Sequence, residues 1–506
     1  MSGSEWDALL GDLKLRKQAA TAMGGPDRIE HHRRDGRLDA RARVEMLLDP
    51  GTFTEIGALV GSVHRGVTPP IPADGLVAGH GLIDGRPVLV GSEDFTTMGG
   101  SIGIGTTAKR HRLVQLAAQE RVPLVMLLEG AGHRAQNAFE RQPHAPNDLQ
   151  ALAALSGQVP TVAVVMGSSA GHGALTAPLM DFVVMVNGAA IFSAGPPLVE
   201  RAIGEHVTKD ELGGVDVHVV TSGVAHNRAQ SDADALALVR RYLSYFPSNA
   251  WELPPDLDAA DGERDLTTIL DLIPPDHRRG YDVVPVIALL ADGGSMLEIQ
   301  PEYGRSIVTV LARLDGESIA VVANQPAVKA GAIDAGSADK AARFLDVAGA
   351  FHLPVLFLAD NPGVLAGSAA ERSGVLRHAA RMFAAQARLQ TPKFHVTLRK
   401  AYGFGSSLMA MNPFDAQTVT LAFPGIRLGA MPAESGGAAA GLDADTQQLL
   451  EHAELGGAYS SADNLSYDDV IDPRQLRNAL LRSLRLTRVR NGAEGVTPVV
   501  HHTILP

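Results

Sequence analysis

The 506 residues contain no cysteine. That absence removes disulfides, thiolate nucleophiles and cysteine-built zinc ribbons together, and it suits a reducing compartment. Aromatic residues are sparse at 5%, so the core must be built largely from Val, Leu, Ile and Ala. No stretch reaches the roughly 18 consecutive uncharged apolar residues of a spanning helix. The amino-terminal MSGSEWDALLGDLKLRKQ is charged and amphipathic, without the apolar core of about 7–15 residues that a secretory leader carries. A cytoplasmic location with no membrane partner is expected. Long basic runs are also missing and the formal net charge is −12, which argues against nucleic acid as a partner. The short cluster His31 to Arg34 still suits a phosphate. His31-His32 and His501-His502 are adjacent in sequence, a spacing of exposed tails rather than of one metal, and no metal is expected.

What the chain does contain is itself, twice. Asp84-Gly85, Gly105, Lys109, Pro123 and Gly132 recur as Asp315-Gly316, Gly336, Lys340, Pro354 and Gly363, each 231 residues later. Pro160 and Gly173 recur as Pro392 and Gly405 after 232 residues. Glycines and turns in register over such a distance imply two copies of one α/β unit. In each copy short apolar runs alternate with amphipathic helical stretches, the pattern of a mostly parallel sheet. The acidic, proline-containing segment Ser248 to Asp265 reads as a surface linker, giving domains 1–255 and 256–506. Ahead of the first copy, Asp39 is a suitable N-cap for the helix that follows it. Behind the second, YDDVIDPRQLRNALLRSLRL reads as a helix with an Asp-Pro start, and VVHHTILP as a packed arm.

Two strand-to-helix junctions stand out, Thr161 to Pro178 and Lys393 to Met411. Each has an apolar strand, then spaced glycines, then a helical stretch. The first amides of such a helix have no intrahelical acceptor, and glycine lets an oxygen approach them closely. The first junction also spells Gly167-Ser168-Ser169-Ala170-Gly171, a nucleophile-elbow pattern. A serine hydrolase built on Ser169 would need an acid and a histidine downstream, with Asp181 and His218 or His226 as nominees. Against it, Ser169 corresponds to Ala401 in the second copy, so the repeated device is backbone and not hydroxyl. GGSIGIGTTAKR lacks the Gly-Lys-Ser/Thr ending of a nucleotide-triphosphate loop.

The motifs RARVEMLLDPGTFTEIG, DGLVAGHGLIDGRPVLVGSEDFTTMGGSIG, PLMDFVVMV with ELGGVDVHVVTSGVAH, ADNPGVLAGSAAERSGVLRHAARMFAA and RKAYGFGSSLMAMNP follow one another between Arg28 and Glu434. In this order they resemble the carboxyltransferase (β) subunits of biotin-dependent acyl-CoA carboxylases, the propionyl-CoA and acetyl-CoA carboxylase group. The resemblance implies an α/β protein of two tandem crotonase-fold (ClpP/crotonase) domains, each with ββα spiral units. It implies transfer of carboxylate from N-carboxybiotin to the α-carbon of a coenzyme A thioester, with no side-chain base required because biotin itself takes the α-proton. Amides of Gly171 and His172 would hold the thioester oxygen, and those of Phe404 and Gly405 the ureido oxygen of biotin. Ala170, Gly132, Gly363, Ala401, Tyr402 and Gly403 would line the bound groups, and Ser407 stands where acyl-chain length is often set.

The same resemblance places acyl-CoA on the amino-terminal domain of one subunit and biotin on the carboxy-terminal domain of another, in a homo-oligomer, commonly a hexamer built as a trimer of dimers. Met409-Ala410-Met411 has no lysine for biotin, so a biotin carboxylase and biotin carboxyl carrier partner is implied. The pattern departs from the family's usual residues at His172, at Phe404 and in the turn Glu129 to Arg134. Alternative readings are a decarboxylase or transcarboxylase component acting on malonyl- or methylmalonyl-CoA, and a divergent low-activity scaffold.

Overall fold

The computed structural model describes residues 2–34, 36–64, 66, 69–134, 137, 147–257, 261–492, 498 and 504–505. His501-His502 and most of the terminal VVHHTILP lie outside them. The chain divides into two compact units, Met1–Ser244 with Thr503–Pro506, and Tyr245–His502.

The strands of the first unit are β1 (Thr54–Glu55), β2 (Leu76–Ile83), β3 (Arg86–Glu93), β4 (Leu124–Gly130), β5 (Thr161–Ala170), β6 (Phe182–Val186), β7 (Ala190–Phe192) and β8 (Asn227–Ala229). Those of the second are β9 (Leu297–Ile299), β10 (Ile307–Leu314), β11 (Glu317–Asn324), β12 (Val355–Asn361), β13 (Lys393–Tyr402), β14 (Val419–Ala422), β15 (Arg427–Gly429) and β16 (Asp469–Val470). The first sheet runs β1-β2-β3-β4-β5-β6-β8 with β7 beside β5; the second runs β9-β10-β11-β12-β13-β14-β16 with β15 beside β13. The duplication read from the sequence is thus a duplication of topology. Parallel pairing begins at β3–β4 and β11–β12, and β4 and β12 are buried along their whole length. Helices Ile104–Glu120 and Ala335–Ala350 join the antiparallel hairpin to the parallel strands in the two units.

The hairpins β2–β3 and β10–β11 turn on Asp84-Gly85 and Asp315-Gly316, whose φ values of 51°, 76°, 56° and 83° are those of a two-residue turn matched to strand twist. Asp49 accepts the N–H groups of Asp84 and Gly85, and Asp292 those of Asp315 and Gly316. Arg240 then bridges Asp49 to the carbonyl of Leu47, and Arg477 bridges Asp292 to that of Leu290. Each hairpin is locked in the same way. A buried lysine pins each connecting helix: Lys109 donates to the carbonyls of Ala73 and Leu76, Lys340 to those of Gln300 and Tyr303. Burial pushes these ammonium groups down to about 8 and about 7, respectively.

Asp39 caps its helix as expected, accepting from the amides of Arg41 and Ala42. The segment read as a surface linker is instead packed on the second unit. Ala250 is fully buried, its carbonyl accepts from His352, and the Leu257 amide donates to Gly316. The tail helix spans Leu476–Gly492 behind an Asp472-Pro473 start, with Asp472 accepting from the Arg474 amide.

Candidate active site

The first junction is made where β5 stops. Its parallel pairing with β7 ends at Ala170 and Phe192, and the next amide, Gly171, donates to the Phe192 carbonyl at 3.0 Å. Gly171 then takes φ 59° and ψ −124°, a conformation essentially reserved for glycine. The chain reverses into the short helix His172–Leu175. The expectation that Gly171 supplies an oxyanion donor is therefore corrected: the ladder has already used its N–H. The amides that open the helix without an intrahelical acceptor are those of His172 and Gly173.

The second junction repeats the first. β13 ends at Tyr402, Gly403 has φ 54°, and the helix Gly403–Leu408 presents the amides of Phe404 and Gly405. The 232-residue offset equates Gly171 with Gly403, His172 with Phe404 and Gly173 with Gly405, so the structural counterparts are like for like. A β-carbon on Gly405 would lie 2.5 Å from Asn361 Oδ1 and 2.7 Å from the Gly363 Cα. Only glycine fits there.

A turn from the neighbouring strand borders each junction. Gly132 approaches the Ala170 carbonyl, with 2.9 Å to an added β-carbon, and Gly363 approaches the Tyr402 carbonyl, with 3.4 Å. Paired bridges, Ile102 with His133 and Ile333 with Val364, fix these turns. Gly132, Ala170, Gly363, Tyr402 and Gly403 thus gather at the two sites. Ala401 is 2% exposed and paired to Asn361 and Leu428 within the sheet, and Ser407 is exposed on the helix beyond Phe404. Tyr402 donates its hydroxyl to Glu454 at 2.5 Å, which also accepts from Arg427 and the Ala433 amide. The sequence contained no signal for that clamp, because Glu454 is remote and unmatched in the repeat.

Beneath the first junction lies a buried ionic cluster that the sequence reading missed. Asp148 accepts from His172 Nε2 at 2.6 Å and from Arg110 Nε at 2.7 Å. Arg110 also reaches Glu93 at 2.9 Å and the Thr176 hydroxyl, and Glu93 accepts the Glu129 amide at 2.8 Å. Burial works to raise Asp148, but the bonds from His172 and Arg110 win and hold it at about 2. Burial prevails at Glu93, which is raised. The His133 ring stands edge-on to His172 at 4.6 Å between centroids, and burial with that neighbour lowers it.

The hydrolase alternative fails on geometry. Ser169 Oγ is buried with no hydrogen-bond partner. Asp181 is held by the amide and hydroxyl of Thr161, His226 accepts the Val183 amide, and His218 is bonded to the Ile191 carbonyl and Ser222. None of the three is available to activate a serine.

In the first unit a cavity of about 620 Å³ opens between the helix Pro26–Arg33 and the loop after β3. Arg28, His31, His32 and Arg37 line it with Phe95, Thr96 and Met98. Phe95 and Met98 are 43% and 41% exposed, while Arg37 also pairs with the buried Glu129 at 3.2 Å. The His31 to Arg34 cluster was the one sequence signal for it. Among the described residues no group of three or more His, Asp or Glu is placed to hold a metal, and no helix is long and apolar enough to cross a membrane.

Residues 31–494 match the model of the carboxyl transferase domain. The chain belongs to that family. It is 35% identical to the methylmalonyl-CoA carboxyltransferase 12S subunit of Propionibacterium freudenreichii subsp. shermanii, over 96% of this chain and 95% of that protein. It is 33% identical to the propionyl-CoA carboxylase carboxyltransferase subunit of Haloferax mediterranei, over 96% and 97%. Among solved structures it matches a transcarboxylase 12S subunit, described as a hexamer assembly with methylmalonyl-coenzyme A and methylmalonic acid bound. The TM-score is 0.90 at 33% identity, over 98% of both chains. The family resemblance and the crotonase-like carboxyltransferase fold expected from the sequence both hold, and the two matched junctions are the carboxyl transferase domain's own repeated device.

Proposed function

We propose that this chain carries a carboxyl group between N-carboxybiotin and the α-carbon of an acyl-CoA. The observation that carries the reading is the matched pair of junctions, each a positive-φ glycine followed by two helix-opening amides. The His172 and Gly173 amides hold the thioester oxygen as it gains enolate charge; a preformed donor of this kind contributes about 3 kcal/mol to the transition state. The Phe404 and Gly405 amides hold the ureido oxygen of biotin, in a cradle that a β-carbon at Gly405 would fill. Bound carboxybiotin supplies the transferable carboxyl group. Ala170, Gly132, Gly363, Tyr402 and Gly403 shape the two sites, with Ser407 near the acyl end.

The cavity by Arg28 and Phe95 suits the nucleotide end of coenzyme A, offering cations to phosphate and an apolar face to adenine. The biotin arrives on a carrier with its own biotin carboxylase, because this chain has no attachment lysine between its paired methionines. A cytoplasmic homohexamer, with acyl-CoA held by residues 1–255 and biotin by residues 256–506, is the assembly we infer. Transfer in the reverse sense, from methylmalonyl-CoA, uses the same amides, and the 12S relative favours keeping it as the second reading. The test is carboxyl transfer to a panel of acyl-CoA thioesters with a carboxybiotinylated carrier. Transfer above background supports the reading, and none with any thioester or direction refutes it.

A further inference from the structure

The two junctions match in backbone and differ in one side chain. Phe404 is 53% exposed, whereas its counterpart His172 is turned onto a buried carboxylate. Asp148 is itself fixed from its other oxygen by Arg110, so the His172 ring is held in one orientation. Because Asp148 stays ionised, it accepts the hydrogen on Nε2, and the lone pair of the neutral ring is then on Nδ1. No hydrogen bond to Nδ1 is present among the described residues, and the side chain keeps 19% of its surface. Nδ1 is four bonds from its own amide nitrogen. An oxygen held by that amide therefore brings the adjoining carbon atoms of a thioester within reach of the ring.

We propose that His172, oriented by Asp148, is a proton-transfer residue for the α-carbon of the bound acyl-CoA. The inference rests on the thioester site described above and adds to it a base carried by this chain. The α C–H bond breaks and its proton passes to Nδ1. Its electron pair forms the C–C double bond, and the carbonyl electrons collect on the oxygen facing the His172 and Gly173 amides. Reversal returns a proton from the ring. After the ring has exchanged with solvent, that proton is a solvent one, so the chain alone exchanges α-hydrogens without carboxybiotin. Phe404 has no titratable atom and Asn361 and Asn324 lie beneath its junction, so the second unit has no such capacity.

The experiment incubates the purified full chain with propionyl-CoA in D2O, with no carrier, and follows α-deuteration by mass spectrometry beside calorimetric propionyl-CoA binding. Deuteration above the solvent rate is expected. His172→Phe, the residue of the duplicated position, should lower it by about 10²–10⁴-fold. His172→Gly should lose it likewise and regain part of it when imidazole is added, a rescue that a merely structural role would not produce. Propionyl-CoA binding without wild-type exchange, exchange unchanged in both variants, or loss in both without imidazole rescue overturns the inference and leaves the carboxyltransferase reading standing. No binding of propionyl-CoA or of any other thioester overturns both.

Discussion

Asn361 leaves no room for a side chain at Gly405: its Oδ1 lies 2.5 Å from where a β-carbon would stand. Asn361 cannot yield easily, because Oδ1 accepts the Gly363 amide at 3.0 Å and Nδ2 donates to Asn324 at 3.0 Å. Gly405→Ala must therefore shift the helix start that carries the Phe404 and Gly405 amides. We expect carboxyl transfer to fall by about 10²-fold or more. Steady-state rates with carboxybiotinylated carrier check this, and a loss under threefold would mean that the helix start tolerates the shift.

Ser169→Ala should change nothing in catalysis. The hydroxyl is buried without a partner, and removing an unsatisfied polar group is neutral or mildly stabilising. A fluorophosphonate should leave the wild-type chain unlabelled. Covalent labelling at Ser169, read by mass spectrometry, would restore the hydrolase alternative.

Lys340 makes stability depend on pH in a definite direction. Burial lowers it from 10.5 to about 7, so between those values the folded chain binds fewer protons than the unfolded one. Stability must then rise with pH across that window, and the penalty is fully present below it. Thermal midpoints measured from about pH 7 to about pH 10 should climb by several degrees more for wild type than for Lys340→Met. Parallel curves would mean that Lys340 titrates normally.

Arg28→Ala tests the cavity. If Arg28 meets a phosphate of coenzyme A, losing one charge-assisted hydrogen bond should raise KM for the thioester about 10-fold or more with kcat little changed. The corresponding dephospho-coenzyme A thioester identifies which phosphate is met. An unchanged KM would assign the cavity another role.

Much of the fold was legible because the repeat was written in residues that backbone geometry demands. Asp84-Gly85 and Asp315-Gly316 both adopt positive φ, and Gly132 and Gly363 both face a strand-end carbonyl. What the sequence hid were partnerships set by tertiary distance. Asp49 and Asp292 perform the same task but are 243 residues apart, so they fall outside the 231-residue register. His172 and Asp148 meet across 24 residues of chain with no pattern to announce the contact. The donor assignment at the first junction was displaced by one residue, because hydrogen-bond occupancy of the Gly171 amide depends on β7, a three-residue strand beyond the motif. The segment after Ser248 was read as a linker from its prolines and charges, whereas Ala250 and Asn249 within it are buried.

The central claim, that main-chain amides at matched junctions stabilise the transferring oxyanions, is tested most directly at Gly173. Gly173→Pro removes one N–H at the second position of a helix, where proline is tolerated. The measurement is the single-turnover rate of carboxyl transfer between carboxybiotin and propionyl-CoA, with circular dichroism and the oligomeric state compared with wild type. The account predicts a fall of about 10²–10³-fold in an otherwise intact protein. A rate within twofold of wild type in a folded, assembled variant would contradict it.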